Sequence, residues 1–137
     1  MVHQLKRDFP GLTIAINGGI TSNAQIASEL QHVDGVMVGR EAYHNPWVMA
    51  EWDAAFFGAV ASTASRESIE EQMCDYMAAQ FAIDATPWSA IARHMLGLRH
   101  GMAGSRRWRQ VWSDHRLKTL HPHDVMALAH GEIEETA

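Results

Sequence analysis

With a single cysteine, Cys74, among 137 residues, the chain cannot form an internal disulfide, and nothing in its composition points to an oxidising compartment. It lacks an apolar run of membrane-spanning length, and its first residues lack the apolar core of a signal peptide. A cytoplasmic protein without a membrane partner is the expectation. Internal repeats and low-complexity tracts are missing as well. So is any net positive charge: the formal sum is −5, which taken alone argues against indiscriminate binding to nucleic acid. The deficit is uneven. Charged residues sum to −3 over residues 1–65, −4 over 66–84, +6 over 93–118 and −4 from 124 onward, so the basic excess is confined to one segment.

What is present is organised around residues 12–40. Leu12-Thr13-Ile14-Ala15-Ile16 is a short apolar run ending at Asn17-Gly18-Gly19, and Asp34-Gly35-Val36-Met37-Val38 is another ending at Gly39-Arg40. Neither alternates cleanly, the pattern of parallel strands buried on both faces. Between them Ser22 to Gln31 reads as a crossover helix, capped by Ser22 with Gln25 answering at the third helical position and carrying the apolar pair Ile26 and Leu30. At the ends of both strands glycines let backbone N–H groups approach an anion, and Arg40 adds a forked positive charge ahead of a short helical segment, 41–44. In (β/α)₈ barrels a phosphate often binds at the loops after the last two strands, beside a short extra helix, and the order of parts here fits. The plainer alternative is that Gly-Gly and Gly-Arg are only tight turns.

Upstream, residues 3–9 form an amphipathic stretch that Pro10-Gly11 separates from the first strand. Downstream, Pro46 to Phe57 is expected as one helix with Val48, Met49, Trp52 and Phe56 on its apolar face; residues 58–65 are small and aperiodic, a linker. Everything beyond reads helical. Ser65 caps a helix whose first turns carry Glu67, Glu70 and Glu71 against the dipole, with Ile69, Met73, Tyr76, Met77 and Phe81 as its buried face. Thr86-Pro87 starts a second helix bearing Trp88, Ile91, Met95 and Leu98. A third, from about residue 105 to 117, gathers Trp108, Val111, Trp112 and His115 on one side and Arg106, Arg109 and Arg116 on another. Pro122 opens a fourth, followed by an acidic tail.

The arginine-bearing surface is either an ordinary solvated face or a phosphate-binding one. Arg93, Arg99, Arg106, Arg107, Arg109, Arg116 and Lys118 meet only Asp114 as local opposition, and the fork of arginine suits phosphate. Arg93 has two further options, an interdomain carboxylate or the anion site. His44 stands beside the glycine turns as a ligand contact or a packing residue. His121 and His123 are a weak metal signal, and no metal is expected. Cys74 sits beside Glu70, Glu71 and Asp75, whose field opposes a thiolate, and is expected as a partly buried packing residue.

Ile16-Asn17-Gly18-Gly19-Ile20, followed by Asp34-Gly35-Val36-Met37-Val38-Gly39-Arg40-Glu41-Ala42-Tyr43-His44-Asn45-Pro46, resembles the closing strands of the tRNA-dihydrouridine synthases, flavoproteins of the barrel class. The run 41–46, with Arg93-His94-Met95-Leu96-Gly97-Leu98 and Arg106-Arg107-Trp108-Arg109, resembles their A-type branch, and the resemblance covers nearly the whole chain. It implies that Asn17, Gly18, Gly19, Gly39 and Arg40 hold the phosphate of FMN. It implies equally that the helical part grips tRNA, with Arg93, Arg99, Arg106, Arg107, Arg109 and Arg116 as RNA-binding candidates. By the same resemblance, the whole enzyme would let NADPH reduce FMN, pass hydride to C6 of a D-loop uridine and protonate C5 from a cysteine. Cys74 matches no position of that family's catalytic motif, so no catalytic residue is expected in this chain. The expected architecture is an α/β barrel fragment, the last two β/α units of a TIM barrel (residues 1–57), a linker (58–65) and an all-α helical bundle that binds tRNA (66–137). This makes the chain the C-terminal part of a longer enzyme, inactive alone and prone to self-association. The rival readings are a different FMN barrel oxidoreductase and a non-enzymatic RNA-binding module.

Overall fold

The computed structural model describes residues 1–133, in two compact units that divide between Ser62 and Thr63. The last four residues of the expected 66–137 domain, with most of the acidic tail, lie outside the described residues.

The first unit is built on a two-stranded parallel sheet. Helix α1 (Val2–Asp8) precedes it, and its Lys6 ammonium donates to the carbonyls of Pro10 (3.0 Å) and Leu12 (2.7 Å) and pairs with Asp34 at 2.8 Å. Asp34 also accepts the Ile14 N–H at 2.8 Å, so one ion pair gathers the turn and the starts of both strands. Strand β1 (Ala15–Asn17) pairs with β2 (Gly35–Met37), Ala15 opposite Gly35 and Asn17 opposite Met37. Helix α2 (Asn23–Glu29) crosses between them. The Ser22 hydroxyl caps it by accepting the Gln25 N–H, while the Gln25 side-chain Oε1 accepts the N–H of Thr21, one residue earlier than a reciprocal box requires.

Both strands are shorter than the apolar runs suggest, and the expectation of burial on both faces is not met. Ile16 and Val36 are half-buried whereas Ala15, Asn17 and Met37 are exposed, the alternation of a sheet covered on one face. The covering side chains, Ile26, Leu30, Trp52 and Phe56, line a hollow of about 360 Å³ with Val36. After α3 (Arg40–His44), the expected helix from Pro46 to Phe57 is two pieces, a 3₁₀ segment at Pro46–Glu51 and α4 (Trp52–Phe57). The Trp52 indole donates to Asn23 (2.8 Å) and Asn23 donates to Glu51 (3.1 Å), pinning α4 to the start of α2. Residues 58–65 carry neither helix nor strand.

The second unit is all-helical: α5 (Arg66–Asp84), α6 (Trp88–Ala92), α7 (Ser105–Trp112) and α8 (Pro122–His130), with α8 packed on both α5 and α7. Ser65 and Ser68 close a full capping box on α5. Beyond its cap the expected phase of this helix holds at Met77 and is otherwise wrong by about one residue. Its buried positions are Glu70, Cys74 and Met77, while Tyr76 and Phe81 are exposed. The second helix is only five residues long. Pro87 stands at its cap rather than its first turn, and the chain from 93 to 102 runs on in i→i−3 turns such as Leu98 N–H to Met95 and His100 N–H to Gly97. The third helix stops at Trp112; Asp114 then accepts the Arg116 N–H (2.9 Å) and starts a separate 3₁₀ turn, His115–Leu117, which takes exposed His115 off the tryptophan face.

Candidate functional site

The two turns at the carboxyl ends of β1 and β2 face one hollow of about 550 Å³. Asn17, Gly18, Gly19, Gly39 and Arg40 all line it, with Ile20, Thr21, Met37, Glu41 and His44. Parallel pairing with the same register at Asn17 and Met37 brings the turns side by side, since both strands end at the same level of the sheet. Gly18 and Gly19 have φ of +127° and +67°, where L side chains are strained, and a Cβ on either would meet no protein atom within 4 Å. The space a side chain would fill is therefore left to the hollow. Gly39 has an ordinary φ of −102°, and a Cβ there would touch Met37 Sδ at 3.6 Å; its backbone does not demand glycine. Arg40 is exposed at the rim, and the Glu41 carboxylate is engaged by the Asn45 amide at 3.0 Å. Backbone donors, a guanidinium and vacant space fit an oxyanion such as a phosphate group. Thr21 and Met37, which sequence reasoning did not single out, share the hollow because they flank the glycines.

The arginines of the second unit fall into two sets. Arg99 turns inward, ion-paired with Glu67 and 3.6 Å from buried Glu70. Arg107 donates to the Leu128 carbonyl at 3.3 Å, closing the end of α8, and Arg116 forks onto Asp114 through bonds of 2.6–3.0 Å. That pair holds the Asp114 carboxyl down at about 2, chiefly through the Arg116 hydrogen bond. Local opposition is thus wider than Asp114 alone, because Glu67 and Glu70 fold back onto Arg99. Arg93 donates to the His94 ring at 3.0 Å and Arg109 only to the Ser105 carbonyl at 3.4 Å; Arg106 makes no hydrogen bond or ion pair among the described residues. Arg93, Arg106 and Arg109 are all exposed.

Cys74 is fully buried, its thiol 3.6 Å from the Pro122 carbonyl, and burial followed by Glu70, Asp75 and Glu71 pushes its pKa up to about 12. It is a packing residue. His121 and His123 stack with ring centroids 5.2 Å apart, and His123 contacts Asp75 at 3.1 Å. Among the described residues no three His, Cys, Asp or Glu side chains converge as metal ligands, and no helix is long and apolar enough to cross a membrane.

Comparison with known proteins accounts for most of the chain. Residues 1–129 match the family model of dihydrouridine synthase (Dus). Relatives named tRNA-dihydrouridine(20/20a) synthase include those of Shewanella oneidensis (44% identical over 133 residues, 97% of this chain and 39% of that protein), Pseudomonas syringae pv. tomato (49% over 122 residues, 89% and 36%) and Escherichia coli K12 (43% over 130 residues, 95% and 37%). The chain thus spans less than two fifths of the length of these relatives, as a C-terminal part of the kind expected from the sequence would. On a match that runs from its first residue to the last helix of the second unit, the chain belongs to the dihydrouridine synthase family.

Proposed function

We propose that this chain supplies the phosphate-binding turns and the tRNA-binding domain of a flavin-dependent tRNA-dihydrouridine synthase, its first unit being the end of a TIM-type barrel. The observation that carries the reading is the single hollow shared by Gly18, Gly19, Gly39 and Arg40 at two adjacent strand ends. In it the N–H groups of the Gly18–Gly19 turn and of Gly39 bind phosphate oxygens, Asn17 orients the group from the strand end, and Arg40 balances its charge. Bound FMN, reduced by NADPH, supplies hydride for a D-loop uridine. This chain's part in that chemistry is to bind and to orient. Cys74 cannot be the proton donor to carbon, since it is sealed inside the second unit and surrounded by carboxylates.

Reducing a base requires taking it out of its stack, which is why a separate domain must hold the folded RNA. The outward arginines 93, 106 and 109 suit phosphate contacts of that kind. Cytoplasmic tRNA is the corresponding partner. Two measurements test the reading. Equilibrium titration of FMN against the chain should show binding that Arg40→Ala weakens by about tenfold or more, the loss of one charge-assisted hydrogen bond; equal binding by both would sink the phosphate assignment. Titration of a tRNA transcript should give log K falling linearly with log salt, and no binding at low salt would return the second unit to a structural role.

A further inference from the structure

The second unit buries one carboxylate completely. Glu70, in the second turn of α5, is 0% exposed, and its partners come from three other parts of the unit. One oxygen, Oε1, accepts both the Trp108 indole N–H at 2.6 Å and the Trp112 indole N–H at 2.9 Å. The other, Oε2, lies 2.9 Å from His130 Nε2 at the end of α8 and 3.6 Å from Arg99 Nε. Burying a carboxylate is costly unless it is paired and hydrogen-bonded, and here nearly all its acceptor capacity is used.

The two indoles matter more than their number. Trp108 and Trp112 are four residues apart on α7, one above the other on a single face. A single oxygen that receives both N–H groups fixes the rotation of α7 about its axis and its position along that axis, which neither a lone bond nor greasy packing would do. At about 100° per residue, Arg106 then points roughly 140° away from the tryptophan face and Arg109 stands on its flank. Both are exposed, and Arg106 is free of intramolecular partners among the described residues.

We infer that Glu70 is the positioning residue of the RNA-binding surface, its carboxylate clamping α7 through Trp108 and Trp112 so that Arg106 and Arg109 meet phosphates in a fixed orientation. The inference rests on the tRNA-binding reading above and adds to it which arginines make contact and what aims them. It also sorts the set: Arg99 and Arg107 brace other parts of the unit, Arg116 is engaged by Asp114 in its own turn, and Arg106 and Arg109 face the RNA.

The test uses the whole chain and an unmodified tRNA transcript titrated over a range of salt, with far-UV circular dichroism as the check on folding. Arg106→Ala should lower the salt slope by about one, as loss of one phosphate contact does. The double variant Trp108→Phe/Trp112→Phe keeps an aromatic ring at each position, smaller than the indole, and removes both donors. It should retain its helix content, lose about tenfold in affinity and lower the salt slope by about one to two, consistent with losing one or two phosphate contacts. Adding Arg106→Ala to that variant should cost little more, because the contact is already lost. Unchanged affinity and slope in the double Phe variant overturn the inference, and so does a fully additive cost of Arg106→Ala. If the double variant loses helix content, the single Trp112→Phe decides by the same two criteria. Failure of the unsubstituted chain to bind the transcript is a different result: it removes the RNA-binding reading itself, and the positioning role with it.

Discussion

The two units solve the problem of burial in opposite ways. In the second, Trp108, Trp112, Met77, Val125 and Cys74 are almost wholly enclosed around one carboxylate, a core with a polar centre. In the first, only Ile26 and Val33 are buried among the described residues, and Leu5, Phe9, Leu12, Met37 and Phe57 are exposed. A few short helices and a two-stranded parallel sheet do not cover one another on all sides, and parallel strands ordinarily have both faces packed. The contrast separates two kinds of stability: one unit specifies itself through a buried network centred on Glu70, and the other presents apolar surface and unpaired strand edges to whatever lies beside it.

The sharpest way to break the comparison is Glu70→Ala. It strands two buried indole N–H groups, leaves His130 without its carboxylate and Arg99 with Glu67 alone, at a cost of about 3–5 kcal/mol, a large fraction of what holds a domain of this size together. Thermal unfolding followed by tryptophan fluorescence reads it, and a shift of only a degree or two would show that the network is dispensable. Next in size is the difference in opening free energy. Amides of α5, α7 and α8 should be protected from hydrogen exchange by several kcal/mol more than those of β1 and β2, and comparable protection in both units would contradict the burial pattern. The same surface should make the chain self-associate, which light scattering over a concentration series would detect; a monomer at every concentration would speak against it.

Smaller is the effect of Gly18→Val. Forcing a β-branched residue to φ +127° strains the turn by about 1–3 kcal/mol and fills the hollow, so FMN binding should vanish while the helical unit melts unchanged; retained FMN binding would mean that the flavin phosphate sits elsewhere. Smallest is a pH effect in the first unit. Lys6 and the Ile14 N–H hold the Asp34 carboxyl below its ordinary 3.8, so its contribution to stability is complete above that pH and is lost as pH falls through the lower folded value. Protection of the Ile14 amide, relative to its intrinsic exchange at each pH, should fall over that window, and in Lys6→Ala the fall should begin at higher pH. Identical acid profiles for the two proteins would show that the pair is screened.

What could be read from the sequence, and what could not, follows the range of the interactions involved. The glycine turns and the Ser22 and Ser65 caps are fixed by neighbours a few residues away and the parallel strand pair by one short crossover, and each was legible in a compact stretch of sequence. The phase of α5 was not. Glu70 looks like a solvated acid near the helix start until tryptophans 38 and 42 residues further on donate to it, and no local window contains that fact. The same limit applies to the arginines, since Arg99 pairs with Glu67 across 32 residues while Arg106 pairs with nothing described. Where the third helix ends was open to a local reading, because Asp114 can cap a new turn through the N–H two residues on; the apolar spacing through His115 hid it. The strands came out shorter and barer than their composition suggests, since burial on both faces depends on elements other than the strands themselves.

Cys74 turns the helical unit into its own clock. Its sulfur is sealed beneath α8 against the Pro122 carbonyl, and a thiol held near 12 is almost wholly protonated at neutral pH. A thiol reagent can therefore modify the folded chain only when α8 lifts from α5, and with a single thiol in the sequence each adduct records one such excursion. The rate of labelling, followed by intact mass, would time how often the domain comes apart without any engineered probe.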